Sequence, residues 1–240
     1  MTAKFKGIYM VKAGDIISYQ EMCSEEKVSL QKGMNFRCKN GNTIILMSLR
    51  ANAPYADRIE DDGKILIYEG HDMAKYQGLK QDPKKIDQPK LLPSGQLSEN
   101  GKFYNAAMQY KQEGKNPELV KVYEKLQPGV WSYNGIFKLV DAWQEDAGGR
   151  KVFKFKLELT EENTIKQHDN KKLEHTRIIP SDVKLEVWKR DKGQCVLCGS
   201  RENLHFDHII PFSKGGSSIT AKNIQILCVN CNLRKHDKIM

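Results

Sequence analysis

Four of the six cysteines stand in two Cys-x-x-Cys pairs, Cys195 with Cys198 and Cys228 with Cys231. At this spacing each pair can offer two sulfurs to one tetrahedral ion, and a set of four thiolates favours Zn²⁺. Four reduced thiols in a small core would not require the same spacing twice. We therefore predict a structural zinc site built from the two pairs.

A second set of reactive residues lies between the cysteine pairs, at 205–211, 214–216 and Asn223. Phosphodiester hydrolysis needs an activated water, a cation on the scissile phosphate and help for the leaving oxygen. His208 is the candidate general base, because its ordinary pKa is near neutrality. Asp207 precedes it, and on a regular strand the side chains of Asp207 and His208 would point to opposite faces.

These motifs arrive in the order found in the HNH nuclease family, which residues 180–240 resemble. The resemblance implies a ββα-metal fold, in which a β-hairpin and a helix surround one metal ion. It also implies that Asp207 binds the metal, that His208 acts on the water and that Asn223 orients the histidine's loop by hydrogen bonds. The alternative is a zinc-ribbon binding module in which the histidine and the asparagine only pack.

The third position of the motif departs from the family pattern, because Asn232 stands where histidine is usual. His236 follows four residues later on the same face of a helix. We predict Asp207 and Asn232 as ligands, with His236 as a third, and this oxygen-rich set favours Mg²⁺ or Mn²⁺ over Zn²⁺. If His236 does not bind the metal, it faces a DNA phosphate together with Arg234 and Lys235.

The N-terminal half carries a weaker set of motifs, at residues 53–63, 67–70 and 133–143, with Asp87-Gln88, Asn100 and Phe103. In this order they resemble the SRA (or YDG) domain, a reader of modified cytosine. The resemblance spans roughly residues 30–160. Two departures are evident: in the motif at 133–143 the central aspartate of the family is Asn134, and before Tyr55 the residues Ala53-Pro54 replace a Gly-Gly pair.

The SRA resemblance implies that the modified base is flipped out of the DNA stack and read in a pocket. Tyr55 and Tyr68 are the candidates to stack on the flipped ring. Asp57 is the candidate to accept a hydrogen bond from the exocyclic amine, with Glu60 and Asp61 as alternatives. The competing interpretation is ordinary packing of the tyrosines in a β-sheet.

Hydrophobic patterning predicts a mixed α+β chain, and the two resemblances imply an SRA-like twisted β-barrel with flanking helices before a C-terminal HNH domain with a four-cysteine zinc site. Three domain ranges follow: an SRA-like domain at 1–160, a polar linker at 161–179 and the HNH domain at 180–240. Strands are predicted at 43–49, 64–68, 135–143 and 151–159, and helices at 117–126 and, capped by Ser181, at 181–191.

The whole chain has 240 residues and a net charge of +9, which favours a polyanionic partner or simply a solvated basic surface. It contains no apolar run of membrane-spanning length and no apolar signal-peptide core, so we expect no membrane partner and a cytoplasmic protein. In that compartment thiols stay reduced, which agrees with metal-binding cysteines.

Together the two resemblances imply a modification-dependent, type IV-like restriction endonuclease. Its partner would be double-stranded DNA carrying 5-methylcytosine or 5-hydroxymethylcytosine. One HNH site breaks one strand, so we also predict a homodimer. Two alternatives stay open: an HNH endonuclease or nickase that is indifferent to modification, and a reader of modified DNA that does not cut.

Overall fold

A computed structural model describes residues 11–50, 52–75, 81–160, 179–211, 214–236 and 238–239. Its helices are α1 (Tyr19–Glu25), α2 (Glu99–Glu113), α3 (Ser181–Arg190) and α4 (Val229–Lys235). Its strands are β1 (Asp15–Ser18), β2 (Met34–Asn35), β3 (Thr43–Met47), β4 (Arg58–Glu60), β5 (Ile65–Glu69), β6 (Glu118–Gln127), β7 (Val130–Asp146), β8 (Lys151–Leu159), β9 (Leu204–His208) and β10 (Ile224–Cys228).

Strand β7 organises the sheet because its 17 residues pair with three neighbours. Its first part pairs with β1 and β6, and its second part pairs with β8. The sheet then runs in the order β10-β9-β1-β7-β6-β3-β2, while β8 and β5 lead to β4. Because β9 pairs with both β1 and β10, the C-terminal hairpin extends the sheet of the N-terminal region.

The largest apolar cluster lies between α2 and the sheet, where Phe103 and Ala107 of the helix join Phe137, Phe153 and Phe155. All five are at most 1% exposed, and each buried phenylalanine contributes about 1.5–3 kcal/mol of transfer free energy. Helix α2 begins at the cap residue Ser98, whose hydroxyl accepts from the Gly101 N–H. This cluster supports the surface on which the N-terminal site is built.

A second apolar cluster joins the N-terminal and C-terminal regions. It contains Ile16 and Leu126 from the N-terminal region and Val183, Val187 and Phe206 from the C-terminal region. The C-terminal region therefore completes its core with side chains from strands β1 and β6, which helps a segment too short to build a generous core of its own.

The predicted α+β class is confirmed, and β3, β5 and β8 lie where the patterns indicated. The helix predicted at 117–126 is wrong, because these residues form β6. Its buried Val120 and Val122 face the core while the strand pairs with β3 on one side and β7 on the other. Pairing with the distant strand β3 and with the adjacent strand β7 thus overrides the local helical pattern.

The predicted cap of α3 is also wrong. Pro180 occupies the N-cap position, and the helix begins at Ser181, whose buried hydroxyl has no hydrogen-bond partner among the described residues. The predicted linker at 161–179 lies, apart from its last residue, outside the described residues. Within the described residues, no helix is long and apolar enough to cross a membrane.

Candidate functional site

The four cysteines of the two pairs converge on one point at the end of the C-terminal hairpin. Their sulfur atoms all lie within 4.8 Å of one another, and the sulfurs of Cys198 and Cys228 are 3.6 Å apart. A tetrahedral zinc ion with Zn–S bonds of about 2.3 Å holds its sulfurs about 3.8 Å apart. The geometry therefore fits a bound metal such as zinc.

The turn that carries Cys195 also prepares its sulfur for a metal. Burial opposes ionisation of this thiol, but the backbone N–H groups of Cys228, Leu197 and Cys198 outweigh burial and lower its pKa to about 7. The thiolate is the form that binds metal ions. The hydrogen bonds within the cluster raise the pKa of Cys198, and burial raises that of Cys231, so the ligand form is favoured at Cys195 and not at these two sulfurs.

His208 ends β9 and lies half-buried opposite Ile224 of β10. Its Nε2 atom lies 2.8 Å from the hydroxyl of Ser218, which holds the ring in one orientation. Burial lowers the pKa of His208, an effect that the neighbouring Asp207 opposes and the nearby Lys235 supports. The imidazole is therefore predominantly neutral at pH 7 and can accept a proton.

Asn223 holds the loop that follows His208. Its side-chain oxygen accepts from the N–H of Ile210 at 2.8 Å, and its amide nitrogen donates to the carbonyls of Ile210 and Ser217, each at 3.0 Å. Gly216 permits this arrangement, because an added Cβ would lie 1.8 Å from the Ile210 carbonyl oxygen. Close approach of the backbone thus explains Gly216, and a φ of +85° explains Gly215.

Asp207 lies on the face of the hairpin that α4 covers. Its Oδ2 accepts from Nε2 of Gln225 at 3.0 Å and pairs with Nζ of Lys235 at 2.8 Å. The Lys235 side chain is 1% exposed and also donates to the backbone oxygen of His208. The prediction that Lys235 faces a DNA phosphate is therefore corrected: its ammonium group holds the two reactive residues of β9.

The other residues predicted on α4 lie nearer the surface. Asn232 is half-buried, His236 is exposed at the C-terminal end of the helix, and the exposed Arg234 donates to Sγ of Cys231 at 3.1 Å. Over the ranges that the structure describes, the four cysteines are the one group of three or more Cys, His, Asp or Glu side chains close enough to share an ion. The catalytic ligand set stays a prediction.

In the N-terminal region, His71 contacts both tyrosines predicted to hold the base. Its ring stacks on Tyr55, with centroids 4.7 Å apart and planes 9° apart, and its Nε2 lies 2.9 Å from the Tyr68 hydroxyl. Burial lowers the pKa of His71 to about 4, so the ring is neutral at pH 7. Tyr68 itself is only 1% exposed.

The backbone around His71 is held by two amide side chains. Asn100 accepts from the His71 N–H and donates to its carbonyl, both at 2.8 Å. Gln88 donates to the Gly70 carbonyl at 2.6 Å and accepts from the Phe153 N–H at 2.8 Å. Two residues that carry the SRA resemblance, Gln88 and Asn100, thereby fix the segment that follows Tyr68.

Asp57 lies close to the end of β5. One of its carboxylate oxygens accepts from the Glu69 N–H at 3.0 Å and the other from the Ser48 N–H at 3.3 Å. Burial raises the pKa of Asp57 to about 7, although both N–H groups oppose the shift. Near neutral pH this carboxyl group therefore exists in both protonation states.

A cavity of about 870 Å³ opens beside these residues. Tyr55, Asp57 and Glu69 line one side, and Ser181 and Ile219 of the C-terminal region line the other. The alternative acids Glu60 and Asp61 also line it. Neither Tyr68 nor His71, which contact each other, is among the lining residues.

Residues 195–238 match the family model described as HNH endonuclease. These residues form an HNH endonuclease domain. The match covers the four cysteines, the hairpin with Asp207 and His208, Asn223, and α4. The chain has no match among curated proteins.

The similarity to solved structures covers more of the chain than the HNH domain. The SRA domain of SUVH5 bound to fully hydroxymethylated CG DNA is 23% identical, with 70% of this chain and 97% of that chain covered at a TM-score of 0.42. The same domain with hemimethylated CG DNA is 22% identical, with the same coverage and a TM-score of 0.43. The modification-dependent restriction endonuclease AspBHI is 11% identical, with 66% and 80% covered and a TM-score of 0.45.

Sequence reasoning missed two residues that bear on these sites. His71 lies three positions after Tyr68, so its place beside the motif was a visible signal. Lys184 of α3 lies on the same helix face as Val187 and Trp188, and a lysine on an apolar face indicates a buried partner.

Proposed function

We propose that the chain is a modification-dependent DNA endonuclease, in which the SRA-like region at 1–160 reads a flipped 5-methylcytosine or 5-hydroxymethylcytosine and the HNH domain at 180–240 cuts. The linker at 161–179 joins them. The observation that carries the proposal is the cavity beside Asp57, because residues of the reader and of the HNH domain both line it. A base held there lies against the nuclease.

In this proposal His208 is the general base. If its Nε2–H donates to Ser218, the lone pair lies on Nδ1, which takes a proton from the attacking water. Asn223 acts as a positioning residue by holding the adjacent loop, and Lys235 holds Asp207 and the His208 backbone. Arg234, exposed on α4, contacts the DNA backbone.

Two kinds of metal complete the HNH domain. Zn²⁺ on the four cysteines is structural, and its fit rests on their sulfur geometry. Asp207, Asn232 and His236 would hold a catalytic Mg²⁺ or Mn²⁺, and the negative charge of Asp207, which pairs with the Lys235 ammonium group, supports a cation at this position. When bound, this ion would stabilise negative charge on the scissile phosphate and the leaving oxygen.

The reading step uses the residues beside the cavity. Tyr55 would stack on the flipped ring, Tyr68 would close the pocket from behind, and Asp57 would accept from the exocyclic amine. Because His71 contacts both tyrosines, a base that enters between them must displace its ring. This occupied space favours one competing function, a nuclease whose N-terminal region binds duplex DNA without reading a modification.

The test is cleavage of three matched duplexes in Mg²⁺ or Mn²⁺, with cytosine, 5-methylcytosine or 5-hydroxymethylcytosine at one site. We expect cutting of modified DNA alone.

His208→Ala should lower cleavage by about 100-fold or more while binding is kept. Tyr55→Ala should weaken binding of the modified duplex by about 10-fold, whereas Tyr55→Phe should preserve it. Equal cutting of all three duplexes would refute the reader.

A further inference from the structure

The HNH domain is attached to the N-terminal region through strand β1. Asp15 and Ile16 pair with His205 and Leu204 of β9, and the Asp15 carboxylate lies 2.7 Å from Nδ1 of His205. Gly14 is required at this contact, since its φ is +95° and an added Cβ would lie 2.8 Å from the His205 ring. One edge of the sheet thus joins the two regions.

A buried polar group joins the same two regions from the other side. Nζ of Lys184, on α3 of the HNH domain, lies 2.6 Å from the Glu124 carboxylate and 2.8 Å from Oδ1 of Asn134. The Asn134 amide donates to the same Glu124 oxygen at 3.1 Å. We call these three residues the junction triad. Lys184 and Glu124 are 2% and 1% exposed, and Asn134 is 5% exposed.

The triad is balanced in charge, with one ammonium group and one carboxylate. This balance explains why Asn134 replaces the acidic residue at the centre of its motif. An aspartate there would place a second carboxylate in the same buried space, and an unpaired buried charge is expensive. The asparagine supplies one acceptor to Lys184 and one donor to Glu124 without adding charge.

A buried ion pair is a poor source of net stability, because desolvation of both charges offsets their attraction. Its directional contacts do select one geometry, since any other placement of α3 leaves a charge buried without a partner. The triad and the β1–β9 pairing therefore make the reader and the nuclease one body.

We propose that Lys184 is a positioning residue that fixes the HNH domain on the reader, so that cleavage falls at a set distance from the modified cytosine. This inference rests on the proposed function for its DNA readout. The body itself can be examined without DNA, through exchange of the Phe206 amide, which donates to the Gly14 carbonyl across the junction.

The experiment compares Lys184→Met with the exposed control Lys189→Met on the same helix. Lys184→Met leaves Glu124 unpaired, so we expect the Phe206 amide to exchange roughly 100-fold faster or more. Cut positions on a duplex with one modified cytosine should spread. Adding Glu124→Gln to Lys184→Met removes the unpaired charge and should restore slow exchange and a narrow cut window.

Unchanged exchange and an unchanged cut window in a folded Lys184→Met protein would overturn the inference. If that variant does not fold, Asn134→Ala removes one acceptor of Lys184 while Glu124 keeps its counter-charge, and unchanged exchange with an unchanged cut window there overturns the inference equally. Equal cutting of unmodified DNA by the wild type would refute the proposed function alone, because amide exchange still reports on the junction.

Discussion

Two opposing effects set the pKa of Asp57. Its two backbone hydrogen bonds favour the carboxylate, whereas burial favours the neutral acid, and burial dominates. The pKa of the Asp57 carboxyl group is therefore about 7 in the folded protein, compared with 3.8 in an unfolded chain. Between these values the native state binds more protons, so this group lowers stability as pH rises.

We predict that Asp57→Asn removes this pH-dependent loss of stability. Relative to the wild type, the free energy of unfolding of the variant should rise between pH 4 and pH 7 by on the order of 2–4 kcal/mol, and then level off. Denaturant unfolding at a series of pH values measures the difference. A constant offset over this range would show that Asp57 does not titrate as its burial indicates.

At the scale of elements, the HNH domain depends on a hairpin and a short helix held from two sides. Lys235 of α4 contacts Asp207 and His208 on β9, and the guanidinium of Arg190 donates to the carbonyls of Ala221 and Ile224. Helix α4 spans only seven residues, which is too short to persist alone. A metal ion bound by the four cysteines, of which Cys228 and Cys231 lie at the start of α4, would help to keep this helix folded.

We predict that Cys198→Ser removes the metal and with it the cleavage activity, because the ligand set drops to three thiolates. Cys38→Ser, outside the cluster, is the matched control and should keep both. Metal analysis of the purified proteins and cleavage of modified DNA measure the effect. A Cys198→Ser protein with wild-type zinc content and wild-type cleavage would contradict the assignment.

At the scale of the whole molecule, one chain offers one HNH domain and a net charge of +9. The charge favours approach to DNA without selecting a sequence. In the proposed function, reader and nuclease share a sheet, so one chain bound at one modified cytosine would present its cutting site to one strand. A second chain is then needed for the other strand.

We predict that nicking of DNA with one modified site varies linearly with protein concentration, whereas double-strand breakage rises more steeply. Quantifying nicked and linear plasmid over a concentration series measures both rates. Linear product that forms as fast as nicks at the lowest concentrations would rule out pairing of protomers on DNA.

The sequence by itself determined the parts whose chemistry depends on residue type and short spacing. The two cysteine pairs predicted a metal site, residues 207–223 predicted the HNH domain, and the alternating pattern of 151–159 predicted β8. Such signals are local, because a Cys-x-x-Cys pair or an alternating strand is recognised from a few neighbouring residues.

Only the tertiary structure decided what depends on distant partners. Residues 118–127 became a strand because β3 and β7 offered pairing on both sides. Lys235 turned inward to Asp207, and Lys184 found Glu124 sixty residues away in the chain. Burial of a charge is settled by where its counter-charge lies in space, and one sequence alone does not reveal that distance.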